Sequence, residues 1–310
     1  MKTINFYKKR YIYFSISICI LIIGIAAAFV NGIKLDIQFQ GGTILKYTYE
    51  GTINAEEAGK LIEDTLGKPA NCQQQTTVAK EEQMLIISLA NNESITSQEQ
   101  ETVTSVLTKT YPDTNLDLSE SLSVEPFTGA RFFRNGFIAI LLSFALILVY
   151  VGFRFRKIGG FSAGIMAIIA LLHDAFVVTV TFIIFKIPLN DSFIAAILTI
   201  IGFSINDTIV IYDRIRENKV IMGNKTSTEV LVNTSIQQSM SRSINTNIAV
   251  FVSITIVYIF SYIYNIQSIK DFALPMMFGT ISGCYSTICI AGPLWIMWKN
   301  HEEKVRLRKA

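Results

Sequence analysis

Six long apolar stretches constrain what this chain can fold into. Each is about 20 residues long, the length that an α-helix needs to cross the hydrocarbon core of a bilayer. They cover residues 11–30, 135–153, 161–185, 192–212, 243–264 and 272–298. With 51% hydrophobic residues, the composition excludes an ordinary soluble domain. The sequence therefore predicts a polytopic α-helical membrane protein with six transmembrane helices.

The fourth stretch holds a carboxylate in its interior. Asp207 is the only charged residue between Ser192 and Tyr212, and an acid at mid-membrane costs roughly 3 kcal/mol unless it is paired or protonated. Helical spacing places Ser204, Asp207 and Thr208 on one face. A structural polar contact between helices is the alternative interpretation, but such a contact rarely needs a full carboxylate. We therefore interpret Asp207 as a functional residue.

Two other polar features lie in or beside the apolar stretches. His173 and Asp174 occupy the third stretch and point about 100° apart on a helix, so we expect them to make different contacts. Two interpretations of this pair stay open: a proton relay and a structural polar contact. Arg242 precedes the fifth stretch, on the same helix face as Thr246. A lone Arg there is often a membrane-surface anchor, but the buried acid in the preceding stretch favours a functional partner for Asp207.

Charge predicts the topology. Residues 32–130 carry six Lys/Arg and fifteen Asp/Glu, whereas the rest of the chain carries twenty-one and nine. Basic residues cluster before the first stretch, between the second and third, and after the sixth, and such clusters mark cytoplasmic sides. Membrane orientation explains these runs without nucleic acid. We expect cytoplasmic termini and four regions: 1–31 with the first helix, an outer domain 32–130, helices two to six in 131–298, and a basic tail 299–310.

The outer domain has the pattern of a small α+β fold. β-branched and aromatic residues at 43–49, hairpin-like runs at 72–78 and 84–89, and alternation from 116 to 124 predict four strands. Asn54 with Glu57 and Thr96 with Glu99 resemble capping boxes that open two helices. The resulting βαββαβ order is the ferredoxin-like arrangement.

No catalytic or metal-binding constellation emerges from the sequence. Residues 32–130 contain no His and a single cysteine, Cys72, so we expect a binding or pushing module there and not an enzyme domain. The chain's four cysteines are scattered and indicate neither a disulfide framework nor a metal cluster. In the sixth stretch Gly279, Gly283 and Thr287 repeat every four residues, a spacing typical of close helix packing.

The motif around Asp207 resembles a known family. Residues 202–210 read Gly-Phe-Ser-Ile-Asn-Asp-Thr-Ile-Val, and residues 213–218 read Asp-Arg-Ile-Arg-Glu-Asn; together they are similar to the fourth-span signature of the SecF family of bacterial protein export. Asp36 with Gly41-Gly42-Thr43, His173-Asp174 and Arg242 add to the resemblance, which covers essentially the whole chain. Phe203 stands where many members of the family have Tyr. Residues 243–250 are poorer in Thr and Ser than the family, although Asn245 and Asn247 can replace lost hydroxyls as hydrogen-bonding groups.

The resemblance implies a six-span member of the resistance-nodulation-division superfamily that uses a gradient of H⁺, or alternatively Na⁺, to assist preprotein translocation. Asp207 and Arg242 match the family's coupling carboxylate and guanidinium. Further residues of interest are a supporting polar path and three motif glycines: Ser204, Asn206, Thr208, Thr246, His173 and Asp174, and Gly41, Gly42 and Gly202.

The expected surroundings follow from the same resemblance. They are a bacterial cytoplasmic membrane, a SecD partner that supplies the second half of the transporter, the SecYEG translocon, possibly with YajC, and an unfolded preprotein. No cofactor, metal or enzymatic activity is expected. Two alternatives are a small-molecule exporter of the same superfamily and a non-transporting membrane assembly factor.

Overall fold

Long helices and one small sheet make up the chain. The computed structural model describes residues 5–36, 39, 41–77, 82–90, 95–124, 126–223 and 226–309. In chain order the elements are α1 Arg10–Asn31, β1 Gly42–Tyr49, α2 Ala55–Leu66, β2 Ala70–Thr77, β3 Glu82–Ala90, α3 Ser97–Thr110, β4 Asp117–Val124, α4 Pro126–Arg154, α5 Gly160–Ile184, α6 Asp191–Met222, α7 Thr228–Ile263, α8 Gln267–Ser286, a π-helical turn Thr287–Ala291 and α9 Gly292–Lys309.

The prediction of six spans is confirmed. Among the described residues, six helical segments are long and apolar enough to cross a membrane. They are α1, α4, α5, α6, α7 and the continuous unit formed by α8, the π-helical turn and α9. α4 begins at Pro126, and the helix that completes the sixth span continues to Lys309.

The outer domain is an antiparallel sheet in the order β2-β3-β1-β4. With α2 after β1 and α3 after β3, this is the predicted ferredoxin-like arrangement. The alternating side chains of β1 and β3 bury Leu45, Tyr47, Leu85 and Ile87 against the two helices. The first hairpin strand runs from Ala70 to Thr77, and residue 78, predicted as its end, lies outside the described residues.

The two predicted caps differ in detail. Thr96 and Glu99 form the capping box, with the Thr96 hydroxyl accepting from Glu99 N and the Glu99 carboxylate accepting from Thr96 N. Asn54 caps α2 by accepting from Glu56 N at 3.0 Å, one residue earlier than its predicted partner Glu57. The contact is an Asx-type hydrogen bond to the N–H two residues ahead, one of the two backbone N–H groups that an N-cap side chain commonly bonds.

α8 packs against α5, α6 and α7, and glycine permits this close approach. A Cβ atom at Gly279 would lie 2.6 Å from Ile200 Cγ1 of α6, and one at Gly283 would lie 3.2 Å from Ser204 Cβ. The predicted strip of Gly279, Gly283 and Thr287 is therefore the seam between α8 and α6. Immediately after this seam, the backbone widens into the π-helical turn.

Candidate ion-coupling site

Asp207 lies inside the helix bundle, as its position in an apolar stretch suggested. α6 is opened by Asn190, whose side chain accepts from Ser192 N, and it ends before Gly223. The predicted face of Ser204, Asp207 and Thr208 is buried, as is Ile211 one turn further along. Asp207 is 5% exposed, and its Oδ2 accepts a hydrogen bond from Nδ2 of Asn247 on α7. The carboxylate is thus desolvated and held by one neutral donor.

Arg242 does not pair with Asp207 in this arrangement. Its side chain is exposed, and no ion pair joins the two residues in the described part of the chain. Helical geometry explains this, because five residues separate Arg242 from Asn247, which turns them about 140° apart on α7. The helix face that presents Asn247 to Asp207 therefore turns Arg242 away.

The axial positions lead to the same conclusion. The start of α6 and the end of α7 lie on the same side of the bundle. Asp207 comes sixteen residues after the first residue of α6, and Asn247 comes sixteen residues before the last residue of α7. Both therefore lie about 24 Å from that side. Arg242 lies about 7.5 Å nearer the start of α7 than Asn247 does, within electrostatic range of Asp207 but without an ion pair.

Asp174 forms a second carboxylate centre, which is entirely buried. Its side chain is 0% exposed, and three hydroxyls converge on it. Ser204 Oγ of α6 and Ser286 Oγ of α8 each donate to Oδ2 at 2.6 Å, while Ser282 Oγ of α8 donates to Oδ1 at 2.6 Å. Asp174 therefore joins α5 to both α6 and α8.

His173 lies beside this centre. Its Nδ1 is 3.3 Å from Asp174 Oδ1 and 3.3 Å from Ser282 Oγ, so adjacent residues that were expected to make different contacts share one site. The imidazole ring also lies 5.8 Å from the ring of Tyr285, measured between centroids. Its Nε2 is buried and makes no hydrogen bond to the described residues.

Hydroxyl groups link the turns of α6 around Asp207 to the Asp174 centre and to Thr287. Thr208 Oγ1 lies 3.1 Å from Thr287 Oγ1, and it donates to Ser204 O at 3.1 Å. Ser204 thus bonds Asp174 through its side chain and Thr208 through its carbonyl. Asp207 lies between Ser204 and Thr208 on α6. Movement of these turns therefore displaces both the Asp207 carboxylate and the Ser204 hydroxyl that bonds Asp174.

Several residues of the predicted polar path face out of the bundle. Asn206 of α6 and Asn245 and Thr246 of α7 are exposed, as is Arg242. By contrast α1, which is also largely exposed, carries no charged residue after Arg10. These exposed amide and guanidinium groups lie near the depth of Asp207 in the bundle, where polar groups are poorly suited to contact with lipid.

The motif glycines have two different settings. Gly41 and Gly42 precede or open β1 with φ values of 83° and 141°, which L-residues rarely adopt, so glycine is required for the turn into the sheet. Gly202 is exposed, and a Cβ added there would meet nothing within 4 Å. Its role is therefore not set by packing within this chain.

Sequence reasoning missed Ser282 and Ser286 as partners of Asp174. They follow Gly279 and Gly283 by three positions and so lie on the neighbouring face of α8. Their four-residue spacing was a usable signal, but serine is common in transmembrane helices. Asp271, near the start of α8, was also missed; it is 4% exposed and accepts from Gln267 Nε2 at 2.7 Å.

No metal cluster occurs in the described ranges: no group of three or more His, Cys, Asp and Glu side chains is arranged to hold an ion. The expectation that the chain has no cofactor stays a prediction.

Comparison with known proteins identifies related chains. Residues 102–301 match the family model described as "Protein export membrane protein SecD/SecF, C-terminal". The chain is 33% identical over 298 residues to protein translocase subunit SecF of Alicyclobacillus acidocaldarius, covering 96% of this chain and 93% of that one. It is 33% identical over 303 residues to protein translocase subunit SecDF of Bacillus subtilis, covering 97% of this chain and 39% of the relative.

Solved structures of SecDF are also similar. The crystal structure of SecDF from a Thermus species, described as a translocon-associated membrane protein, superposes with a TM-score of 0.77 at 27% identity over 96% of this chain. SecDF in a super-membrane-facing form gives a TM-score of 0.71 at 27% identity over the whole chain. This chain spans 39% and 40% of those two proteins, respectively.

Proposed function

The chain belongs to the SecF family of protein translocase subunits, and from that premise we propose that it uses a transmembrane ion gradient, together with SecD, to assist preprotein translocation. The observation that carries the proposal is the buried carboxylate of Asp207, which among the described residues accepts a hydrogen bond from the neutral Asn247 amide, next to a polar face that contains Arg242. A buried acid with a guanidinium nearby but unpaired is a group that can exist in two charge states.

SecD is the proposed occupant of that face. The exposed surface of α6 and α7 carries Asn206, Arg242 and Thr246, and a protein surface satisfies these groups better than lipid does. Relatives in which one chain carries both names, such as SecDF of Bacillus subtilis, are much longer than this chain. Contacts with SecYEG, YajC and the unfolded preprotein belong to the same proposal.

The proposed ion is a proton. Na⁺ is held by several oxygen ligands, as hard cations generally are, whereas the described contact of Asp207 is an N–H donor from Asn247. A proton requires only the carboxylate itself. A gradient equivalent to ~150 mV supplies roughly 3.5 kcal/mol per proton, comparable with the roughly 3 kcal/mol cost of an unpaired mid-membrane acid.

The proposed cycle alternates two partners of Asp207. Protonated Asp207 lies next to Asn247, the arrangement described above. Loss of the proton draws the guanidinium of Arg242 to the carboxylate, which requires α7 to rotate and move along its axis, since Asn247 and Arg242 lie on different faces. Because α7 leads through Asn265, which donates to Gln74 O of β2 at 3.2 Å, its movement is transmitted to the outer domain.

Orientation completes the proposal. The termini and the basic ends of α4 and α6 face the cytoplasm, and the acidic outer domain lies on the other side of the bacterial cytoplasmic membrane.

The test is preprotein translocation into vesicles that contain this chain with SecD and the translocon, with and without an imposed proton gradient. We expect Asp207→Asn to abolish the stimulation by the gradient. Asp213→Asn is the matched control, because Asp213 lies on the same helix and forms exposed ion pairs with Arg154 and Arg216. Wild-type stimulation in a correctly assembled Asp207→Asn variant would overturn the proposal. Stimulation by an imposed Na⁺ gradient in place of H⁺ would overturn the choice of ion.

A further inference from the structure

The centre around Asp174 contains a buried charge that needs a partner. Three serine hydroxyls donate to its carboxylate, a pattern that favours the ionised form because an ionised carboxylate only accepts. An uncompensated charge at 0% exposure in a membrane bundle is costly. Within the described residues, His173 is the basic side chain that lies within 4 Å of it.

We propose that His173 is a second proton-binding residue of the bundle, separate from Asp207, and that Asp174 is the counter-ion that orients its imidazole. The proton binds to the lone pair of Nε2, forming an N–H bond and giving the ring a charge of +1 that balances the −1 of Asp174. On release the proton returns to solution and the ring becomes neutral.

The hydrogen bonds assign the neutral tautomer. Ser282 uses its one hydroxyl proton to donate to Asp174 Oδ1, so its oxygen faces His173 Nδ1 as an acceptor. Asp174 Oδ1 is also an acceptor on the same side. Nδ1 therefore carries the hydrogen, and Nε2 carries the lone pair. Nε2 is also the buried ring atom that has no hydrogen bond among the described residues.

The neighbouring helices present few other titratable groups to this dyad. Tyr285 of α8 faces the imidazole ring, and its hydroxyl donates to Tyr13 O of α1 at 2.6 Å. α6 faces the dyad with Ser204, while its own carboxylate Asp207 is bonded to Asn247. The charged residues of the packed helices α1, α4 and α9 lie near their ends: Arg10, Arg131, Arg134, Arg154 and the basic run that begins at Lys299.

A second proton site here has a mechanical consequence. Ser204, Ser282 and Ser286 belong to α6 and α8, so the charge state of the dyad on α5 acts on two other helices. Ser204 precedes Asp207 by three residues, which links the dyad to the helix that carries Asp207. The role of His173 in an export cycle rests on the proposed function, whereas proton binding by His173 does not.

The test is ¹⁵N NMR of the full chain in lipid nanodiscs with isotope-labelled histidine. The sequence contains only two histidines, and His301, exposed in the middle of α9, serves as an internal reference; His301→Gln assigns the signals. Between about pH 8 and about pH 5, we expect His173 to change from the Nδ1–H tautomer to the doubly protonated ring. A ring that stays neutral, or one that stays charged, over this whole range would overturn the proposal.

Variants separate a counter-ion from a simple hydrogen-bond partner. We expect Asp174→Asn to reduce the equilibrium constant for protonation of His173 at least about tenfold and to leave His301 unchanged. We also expect His173→Gln to lower the thermal midpoint and His173→Gln with Asp174→Asn to recover part of the loss, since removing both charges leaves neither unpaired. A double variant less stable than both single variants would contradict the charge pairing.

The outcomes distinguish this inference from the proposed function. If His173 titrates while Asp207→Asn retains stimulation by the gradient, the inference stands and the proposed function fails. If His173 does not titrate while Asp207→Asn abolishes stimulation, the function stands and the inference fails.

Discussion

Asp207 of α6 accepts its hydrogen bond from Asn247 of α7, not from the guanidinium of Arg242. The amide therefore bonds one oxygen of the carboxylate, Oδ2, and Arg242 forms no ion pair with the other in the described part of the chain. Because Asn247 also donates to Ser243 O of its own helix at 2.9 Å, its side chain is fixed on α7 and transfers the position of that helix to the carboxylate.

Removing this amide tests its contribution. Asn247→Leu keeps the approximate volume but leaves Asp207 buried without its donor, so we expect unfolding to become easier by about 1–3 kcal/mol. We also expect the stimulation of export by the ion gradient to fall. Thermal unfolding in detergent and vesicle export provide the measurements. The control is Ser253→Ala on the same helix, because Ser253 is exposed and its Oγ donates to Ala249 O of its own helix. Equal thermal midpoints for the two variants would contradict the prediction.

The seam between α8 and α6 predicts a contrast between two glycines. An added methyl group at Gly279 would meet Ile200 Cγ1 at 2.6 Å, whereas one at Gly202 meets nothing within 4 Å. We expect Gly279→Ala to destabilise the isolated chain by about 1–3 kcal/mol through overpacking. Gly202→Ala should leave it unchanged or slightly stabilise it, since Ala favours helix. Thermal unfolding of both variants in the same detergent checks the contrast, which fails if their midpoints coincide.

The outer domain has a local pH dependence. The Lys68 ammonium, 2.5 Å from the Glu99 carboxylate, and then the Thr96 N–H lower the pKa of Glu99. Its folded pKa is thus below the unfolded value of about 4.3, so the stabilisation is present above that value and is lost as pH falls through the folded pKa. We expect the protection of amides in the first turn of α3, measured relative to the intrinsic exchange rate at each pH, to fall over this acidic range. In Glu99→Gln, which keeps an acceptor oxygen without the charge, this fall should disappear; its persistence would assign the effect to another group.

Topology is testable with cysteine labelling. In a background whose four natural cysteines are replaced, a membrane-impermeant thiol reagent added to intact cells with a permeable outer envelope should label Asp64→Cys on α2. It should miss Lys219→Cys and Lys304→Cys, which lie at the basic ends of α6 and α9. Asp64 is chosen because it is exposed in the outer domain. Labelling of the position-219 variant from outside would contradict the orientation.

Local patterns predicted the elements well because their causes are local. Apolar stretches of membrane length predicted six spans, and the Thr96-Glu99 spacing predicted a capping box that forms as expected. α7 begins after Ser227, whose side chain accepts from Val230 N, whereas Thr226 donates to Met222 O.

Contacts between helices were harder to predict from the sequence. They depend on the rotation of each helix about its axis and on its axial position, and not on residue type. Charge alone predicted Arg242 as the partner of Asp207, but the rotation of α7 presents Asn247. Likewise His173 and Asp174 share one site, where they contact each other and both contact Ser282 of α8. The burial of Asp207 was predictable, whereas the identity of its donor required the arrangement of two helices.

The π-helical turn Thr287–Ala291 makes the sixth span sensitive to its residue count. Such a turn contains one residue more than the α-helical path, and this insertion sets the phase between α8 and α9. If the same residues were wound as regular α-helix instead, the extra residue would rotate α9 by about 100° relative to α8. Trp295, which donates from Nε1 to Ser162 Oγ at 3.2 Å, would then point away from α5, although every side chain in the seam above the turn had kept its place.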